Sequence, residues 1–277
     1  MNKIAIHQMC SGIDPVQNAT AMVTAIATAA GDGAAMYFAP EMSILIDRDR
    51  TRSKANISVE DQTSVLPMLC EAAASAAMWV HIGSLPVRTD ANNDRLANRS
   101  IIIDDKGMIR ARYDKIHLFD VELAGGEIWR ESSVYNAGSE SVAVETPLGL
   151  LGLTICYDLR FPDLFSAFAK ARVAAIAVPA AFTVPTGKAH WHTLLRARAI
   201  EAQAFVIAAA QSGQHADGRS TFGHSLVVDP WGEVLLDMGE GEGLGFAEID
   251  LTRIADVRSQ IPVHANRRAV SEIVRRF

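Results

Sequence analysis

Strand and helix patterns alternate from one end of the chain to the other, with no low-complexity linker, repeat or abrupt charge shift between them. A chain patterned in this way needs helices on the faces of its sheets, which restricts it to a layered α/β architecture with mixed strands. MNKIAIHQMC reads directly as a first strand. The first helix is marked by Asp14 as its cap, Pro15 in its first turn, Gln17 at capping-box spacing and Gly31 at its end. Ala19, Met22, Val23, Ile26 and Ala30 form its apolar face. A second helix is predicted from about Glu60 to Ala77, followed by a strand at Trp79 to Ser84. Ser100 to Asp104 and Met108 to Tyr113 flank a hairpin signal at Asp105-Lys106-Gly107. Val142 to Glu145 pairs with Leu150 to Ile155 across Pro147 and Gly149. The second half continues with strand Ala174 to Val178, helix His190 to Gln203 and strand Phe205 to Ala210. Strands at Ser225 to Asp229, Val234 to Leu236 and Gly245 to Ile249 complete it.

Three strands end in residues with chemistry. In GLLGLTICYDLRFPDLF an apolar run stops at Cys156, turns over Tyr157 to Pro162 and enters a helix from Asp163 to Arg172. The carboxyl end of a strand is the usual place for chemistry in α/β folds. In AAMYFAPEMSILI the strand Ala35 to Phe38 cannot continue through Pro40. Glu41 follows it among apolar neighbours, where burial disfavours its charge and suits it to shuttle a proton. In GMIRARYDKIHLFD a strand with Met108, Ile109 and Tyr113 interleaved with Arg110 and Arg112 ends at Lys115.

Glutamate, lysine and cysteine in this order, within APEMS, YDKIHLFD and GLTICYDLRFPDLF, resemble the nitrilase or carbon-nitrogen hydrolase superfamily. The downstream strings PAAFTVPTGKAHWHTLLRARAIEAQAFVIAAAQ and GHSLVVDPWGEVL resemble it too, so the likeness runs from Ile4 to about Arg268. Within the superfamily the chain is most similar to the Nit1-like branch of deaminated glutathione amidases, with the omega-amidases as near relatives. The resemblance implies a four-layer α-β-β-α sandwich, a single domain over 1–277, and a homodimer paired through Phe165, Phe168 and the His190 to Gln203 helix. It also implies cofactor-free hydrolysis of the amide of a small carboxylated substrate. Omega-amidase, N-carbamoyl-amino-acid or nitrile hydrolysis, or a non-catalytic binding role, are the alternatives.

Amide hydrolysis explains why these residue types belong together. A free thiol has a pKa near about 8.5, so a neighbouring base or cation must raise its thiolate share. Glu41 would take the thiol proton of Cys156, pass a proton to the leaving ammonia and later activate water. Lys115 would stabilise the oxyanion with help from the backbone amide of Tyr157. VELAGGEIWRESSVYNAG carries Glu122, Glu127 and Glu131, and Gly125 and Gly126 allow it to fold over a pocket. The resemblance points to Glu131 as a fourth catalytic residue. Arg160 either grips a substrate carboxylate or pairs with a loop acid, and Phe182 is a further candidate substrate contact.

Composition excludes several other classes. Net charge is -6 without basic runs, which speaks against nucleic-acid binding. Cys10, Cys70 and Cys156 are odd in number and scattered, as expected in a reducing, cytoplasmic setting rather than in a disulfide framework. MNKIAIHQMC reads directly as a first strand with no long apolar stretch or small-residue cleavage site after it, and the apolar stretch Val173 to Val184 contains Pro179 and is too short to span a bilayer. No chelating spacing is present: His190 and His192 cannot share a helix face, and His117, His224 and His264 read as surface or second-layer residues, so no metal is expected. Two features depart from the Nit1-like pattern. SGQHADGRSTFGHS replaces a more basic loop and leaves Arg219 as its fixed cation, and His192 stands where many relatives have glutamate.

Overall fold

Alternate apolar side chains along the strands decide how the layers stack. In the computed structural model, which describes residues 1–90, 95–122, 126 and 128–276, the first half starts with β1 (Asn2–Gln8), α1 (Pro15–Gly31), β2 (Met36–Phe38) and α2 (Arg50–Ala55). It continues with α3 (Val65–Ala76), β3 (Trp79–His81), β4 (Leu85–Arg88), β5 (Leu96–Ile103) and β6 (Ile109–Asp114). A small antiparallel pair follows, β7 (Asp120–Glu122) and β8 (Ile128–Arg130). The second half starts with β9 (Ala143–Thr146), β10 (Gly149–Leu153), α4 (Pro162–Ala171), β11 (Ala175–Ala177), α5 (Val184–Ala202) and β12 (Phe205–Ala208). It ends with β13 (Ser212–Gln214), β14 (Ser220–Phe222), β15 (Leu226–Val228), β16 (Val234–Asp237), β17 (Gly243–Ile249), α6 (Thr252–Gln260) and α7 (Val263–Asn266).

Two large sheets result. One has the order β17-β1-β2-β3-β5-β4 with β6 added on β5, and the other the order β16-β15-β12-β11-β10-β9. Each has a parallel centre, β1-β2-β3 and β10-β11-β12, with antiparallel strands outside it. Ile4, Ile6, Met36, Phe38 and Ile102 point between the sheets and join Leu151, Leu153 and Ala177 in one core. Their neighbours Ala5, Tyr37, Ile101 and Ile103 point the other way, into a second core with Met22 and Ile26 of α1 and Leu69 and Ala73 of α3. This period of two makes the arrangement α-β-β-α, because each strand has one apolar face for the facing sheet and one for the helices.

Local signals place most elements. The Asp14 carboxylate accepts from the backbone N–H groups of Val16 at 2.9 Å and Gln17 at 3.1 Å, capping α1. The predicted helix from Glu60 to Ala77 divides, because Glu60 pairs with Arg99 at 2.9 Å and Arg112 at 2.6 Å on β5 and β6. Those long-range pairs hold Glu60–Gln62 in a separate 3-10 turn, and α3 starts only at Val65. Conversely α5 begins at Val184, six residues before His190, since Pro185 in a first turn sacrifices no helical hydrogen bond. Phe165 and Phe168 do not form a pairing surface: they are 1% and 3% exposed on the inward face of α4, with Phe168 packed over Gly152 of β10. No helix among the described residues is long and apolar enough to cross a membrane.

Candidate active site

Glu41 is turned inward by the backbone around it. After β2 the chain passes Pro40, whose carbonyl oxygen would lie 1.9 Å from a Cβ at Gly83, so only glycine, here at φ +69°, permits the approach. Met42 adopts φ +54° and donates its N–H to Ser84 Oγ at 2.9 Å. The Glu41 carboxylate, almost fully buried, accepts from Lys115 Nζ at 2.8 Å and Asn98 Nδ2 at 2.9 Å on Oε1, and from the Ala181 N–H at 3.0 Å on Oε2. Three donors from distant strand ends therefore hold it as a buried acceptor.

Lys115 follows β6 directly. Its N–H donates to the Asn98 carbonyl at 3.0 Å, and its own carbonyl accepts from the Gly138 N–H at 2.8 Å. A side chain at position 138 would meet the Asp114 carbonyl at 2.1 Å, so a glycine is needed to lock this strand end. The buried ammonium also donates to both oxygens of Glu131, at 3.1 and 2.9 Å. Burial opposes its charge, but the carboxylates of Glu131 and Glu41 overcome this and raise its pKa well above the ordinary value. Glu131 lies in a 3-10 turn after β8 and accepts from the Phe119 N–H at 2.6 Å and from Asn98 Nδ2 at 3.3 Å.

Cys156 opens the 3-10 turn Cys156–Arg160 at φ +48°, a conformation that costs a non-glycine residue about 1–2 kcal/mol. Its N–H donates to the Pro179 carbonyl at 2.9 Å, while the next N–H, that of Tyr157, has no backbone partner among the described residues. The strained turn is anchored by Asp158, which is fully buried. Its carboxylate accepts from the Ile155 N–H at 2.8 Å, the Tyr113 hydroxyl at 2.6 Å, and the N–H and Nδ1 of His117 at 3.0 and 2.7 Å. One carboxylate thus ties the strand end that carries Lys115 to the turn that carries Cys156. Burial, then the neighbouring Glu41 carboxylate, push the Cys156 thiol up, against the opposing pull of Lys115 and the Ala181 N–H. The Cys156 thiol is thus biased towards its protonated form beside the Glu41 carboxylate, the partner the sequence suggested would take its proton.

These groups line a cavity of about 510 Å³. Glu41, Lys115, Glu131, Cys156, Tyr157, Arg160 and Phe182, each singled out from the sequence, all face it. Arg160 has no ion pair among the described residues. Its guanidinium stands 5.6 Å over the Phe182 ring and 3.4 Å from His190 Nδ1, so of the two alternatives for Arg160 the pair with a loop acid is not made by any described residue. Glu122 lies apart from the cavity, paired with Arg130, and Gly125 and Glu127 fall outside the described residues. The hairpin β13–β14 borders the cavity through Arg219, Ser220 and Thr221. Arg219 is committed to Asp217 at 2.7 Å and lies 5.4 Å over Trp129. Arg48 and Arg50 bring further cations to the rim, from a segment that has no sequence motif. Asn98 and Asp158 also escape sequence reading, since each is an ordinary polar residue until its remote partners are known.

The family described as Carbon-nitrogen hydrolase matches residues 3–259. The chain is 36% identical over 276 residues to a deaminated glutathione amidase of Yersinia enterocolitica, covering 99% of this chain and 96% of that protein. It is 39% identical over 267 residues to the nitrilase and fragile histidine triad fusion protein of Caenorhabditis elegans, covering 96% of this chain but 60% of the fusion's length. The crystal structure of that fusion superposes with a TM-score of 0.89, covering 96% of this chain and 65% of that one. Saccharomyces cerevisiae Nit3, of branch 10 of the nitrilase superfamily, superposes with a TM-score of 0.84 at 28% identity, covering 95% and 94% of the two chains.

Proposed function

The chain belongs to the carbon-nitrogen hydrolase family, and from that premise we propose that it hydrolyses the amide of a small carboxylated compound, deaminated glutathione or a close analogue, through a thioester on Cys156. The observation that carries this reading is the buried cluster in which Lys115 Nζ lies 2.8 Å from the base Glu41, beside the Cys156 thiol.

In this mechanism Glu41 accepts the thiol proton as sulfur bonds to the amide carbon, and the carbonyl π electrons move onto oxygen. Lys115 and the free N–H of Tyr157 stabilise that oxyanion, an interaction whose loss typically costs about a hundredfold to a thousandfold in turnover. Collapse breaks the C–N bond, and the departing nitrogen takes the proton from Glu41, leaving a thioester. Glu41 then removes a proton from water, the hydroxide adds to the thioester carbon, and the acid leaves as sulfur regains its proton. Glu131 holds the ammonium in place and balances its charge. Arg160, which pairs with no carboxylate among the described residues, receives the carboxylate of the substrate against the Phe182 ring.

The proposal includes a cytoplasmic homodimer. Free Cys10, Cys70 and Cys156 fit a reducing compartment, and with Phe165 and Phe168 buried, pairing falls to the outer faces of α4 and α5, where Ile200 is exposed. A panel of amides, carbamoyl amino acids and nitriles assayed for ammonia release, with Cys156→Ala as control, tests the chemistry. Release from carboxylated amides that vanishes in the variant is expected, and release confined to nitriles overturns the reading.

A further inference from the structure

Behind the cavity wall, two histidines from different elements converge on one carboxylate. His192 of α5 presents Nε2 to Asp237 Oδ2 at 2.9 Å, and His224, between β14 and β15, presents Nδ1 to Asp237 Oδ1 at 2.9 Å. The ligand atoms of all three lie within 4.8 Å of one another. The residues are 45 and 13 positions from Asp237 in sequence, so no local chelating motif announces them. We propose that His192, His224 and Asp237 form a binding site for a first-row divalent cation, zinc foremost.

The donor set fits this class of ion: two imidazole nitrogens and one carboxylate oxygen, with the fourth position left to water. Neighbouring ligands around a tetrahedral ion with bonds of about 2.1 Å lie about 3.4 Å apart, so an arriving ion needs the two nitrogen–oxygen pairs, now 2.9 Å apart, to spread by only about half an ångström. An arriving ion takes the place of the proton on the imidazole nitrogen that faces Asp237, and each neutral ring then carries its one proton on its other nitrogen.

The surroundings hold the ligands ready. His224 keeps φ +55° because its N–H donates to the Gly239 carbonyl at 2.7 Å and its carbonyl accepts from Trp191 Nε1 at 2.7 Å. Its ring is stacked on Phe222, with centroids 4.4 Å apart and planes 22° apart. The Gly239 N–H donates to Asp237 Oδ1 at 2.9 Å, orienting the carboxylate from outside. The three side chains are between 24% and 37% exposed, which opens a path for an ion from solvent.

Binding here fastens α5, the approach to β15 and the end of β16 to one another. Trp191, bonded to the His224 carbonyl, packs on Phe182 at 4.7 Å, and Phe182 lines the cavity. The ion is therefore a clamp on the outer side of the substrate wall, apart from the Glu41, Lys115 and Cys156 cluster.

The test is titration calorimetry of chelator-treated full-length protein with zinc chloride, paired with the visible spectrum after cobalt(II) addition. Wild type and Cys156→Ala are expected to take up one zinc per chain and to develop cobalt bands. His192→Gln and Asp237→Asn are expected to weaken uptake at least about a hundredfold, beyond the ten- to hundredfold typical of losing an outer partner. Melting of the metal-free variants establishes that they are folded, and the isosteric Asp237→Asn carries the test if His192→Gln is not. Three results overturn the proposal: no stoichiometric uptake by wild type, undiminished uptake in the folded variants, or loss of uptake in Cys156→Ala, which would place the metal on the catalytic thiolate.

Discussion

Replacing Asp158 with asparagine should damage both stability and turnover, although the residue does not touch substrate. The carboxylate is fully buried and both oxygens are occupied, Oδ1 by the N–H and Nδ1 of His117, Oδ2 by the Tyr113 hydroxyl and the Ile155 N–H. Either orientation of the new amide points its NH2 group at a backbone N–H, that of Ile155 or that of His117. The Tyr113 hydroxyl can rotate to accept, but a backbone N–H cannot. Losing one charge-assisted bond worth about 1.5–3 kcal/mol and stranding a buried donor for about 1–3 kcal/mol gives a total near 3–5 kcal/mol. In a protein of this size that corresponds to a melting temperature lower by roughly 6–20 °C, at about 2–4 °C per kcal/mol. With the NH2 group at the Ile155 side, the residue just before Cys156 loses its anchor and the strained φ of the nucleophile can relax. A displacement of about 1 Å at a reacting atom costs on the order of a hundredfold in rate, so kcat should fall by that order with a smaller change in KM. Thermal melts and ammonia release measure the two effects. Wild-type melting and turnover in Asp158→Asn would refute the idea that this carboxylate holds the turn.

Three further outcomes follow from the same geometry. Glu41→Gln removes a negative neighbour that raises the Cys156 thiol and leaves Lys115 in place. The pH profile of Cys156 alkylation by iodoacetamide should therefore move to lower pH, and an unmoved or raised profile would count against the pairing. Lys115→Ala should lose about a hundredfold to a thousandfold in kcat, and because Glu41 and Glu131 are then buried without their cation, its melting temperature should fall too; full activity would show the lysine misassigned. Arg160→Gln should raise KM for carboxylated amides roughly tenfold to a hundredfold, the worth of one charge-assisted bond, and leave neutral amides unaffected. An equal rise for both substrate types would remove Arg160 from carboxylate recognition.

How much was legible differs from residue to residue. Cys156 and Glu41 stand out because each ends an apolar run at a strand's carboxyl end, with Pro40 marking one of those ends, whereas Lys115 ends a strand interleaved with Arg110 and Arg112 and is legible only through the resemblance of the three strings to one family. Asp14 reads as a cap because its acceptor and the N–H groups it satisfies lie two and three residues apart. The start of α5 lies six residues before the predicted His190, because the first turn holds Pro185 and Gly187, residues that carry no helical signal until the turn is formed. Phe165 and Phe168 read equally as a contact surface or as core, because an apolar helix face does not declare whether a partner or its own sheet covers it. In the structure that cover is β10.

Hydrophobic periodicity and chain punctuation, properties of neighbouring residues, are enough to set the layered class, many of the strands and helices, and the strand ends at Glu41 and Cys156. Convergence was decided elsewhere. The bonds from Glu41 to Ala181, from Asp158 to Tyr113 and from His192 to Asp237 span 140, 45 and 45 residues. Such bonds have no period for a local pattern to register, and they form only once the buried faces of two sheets have brought their donors and acceptors within reach.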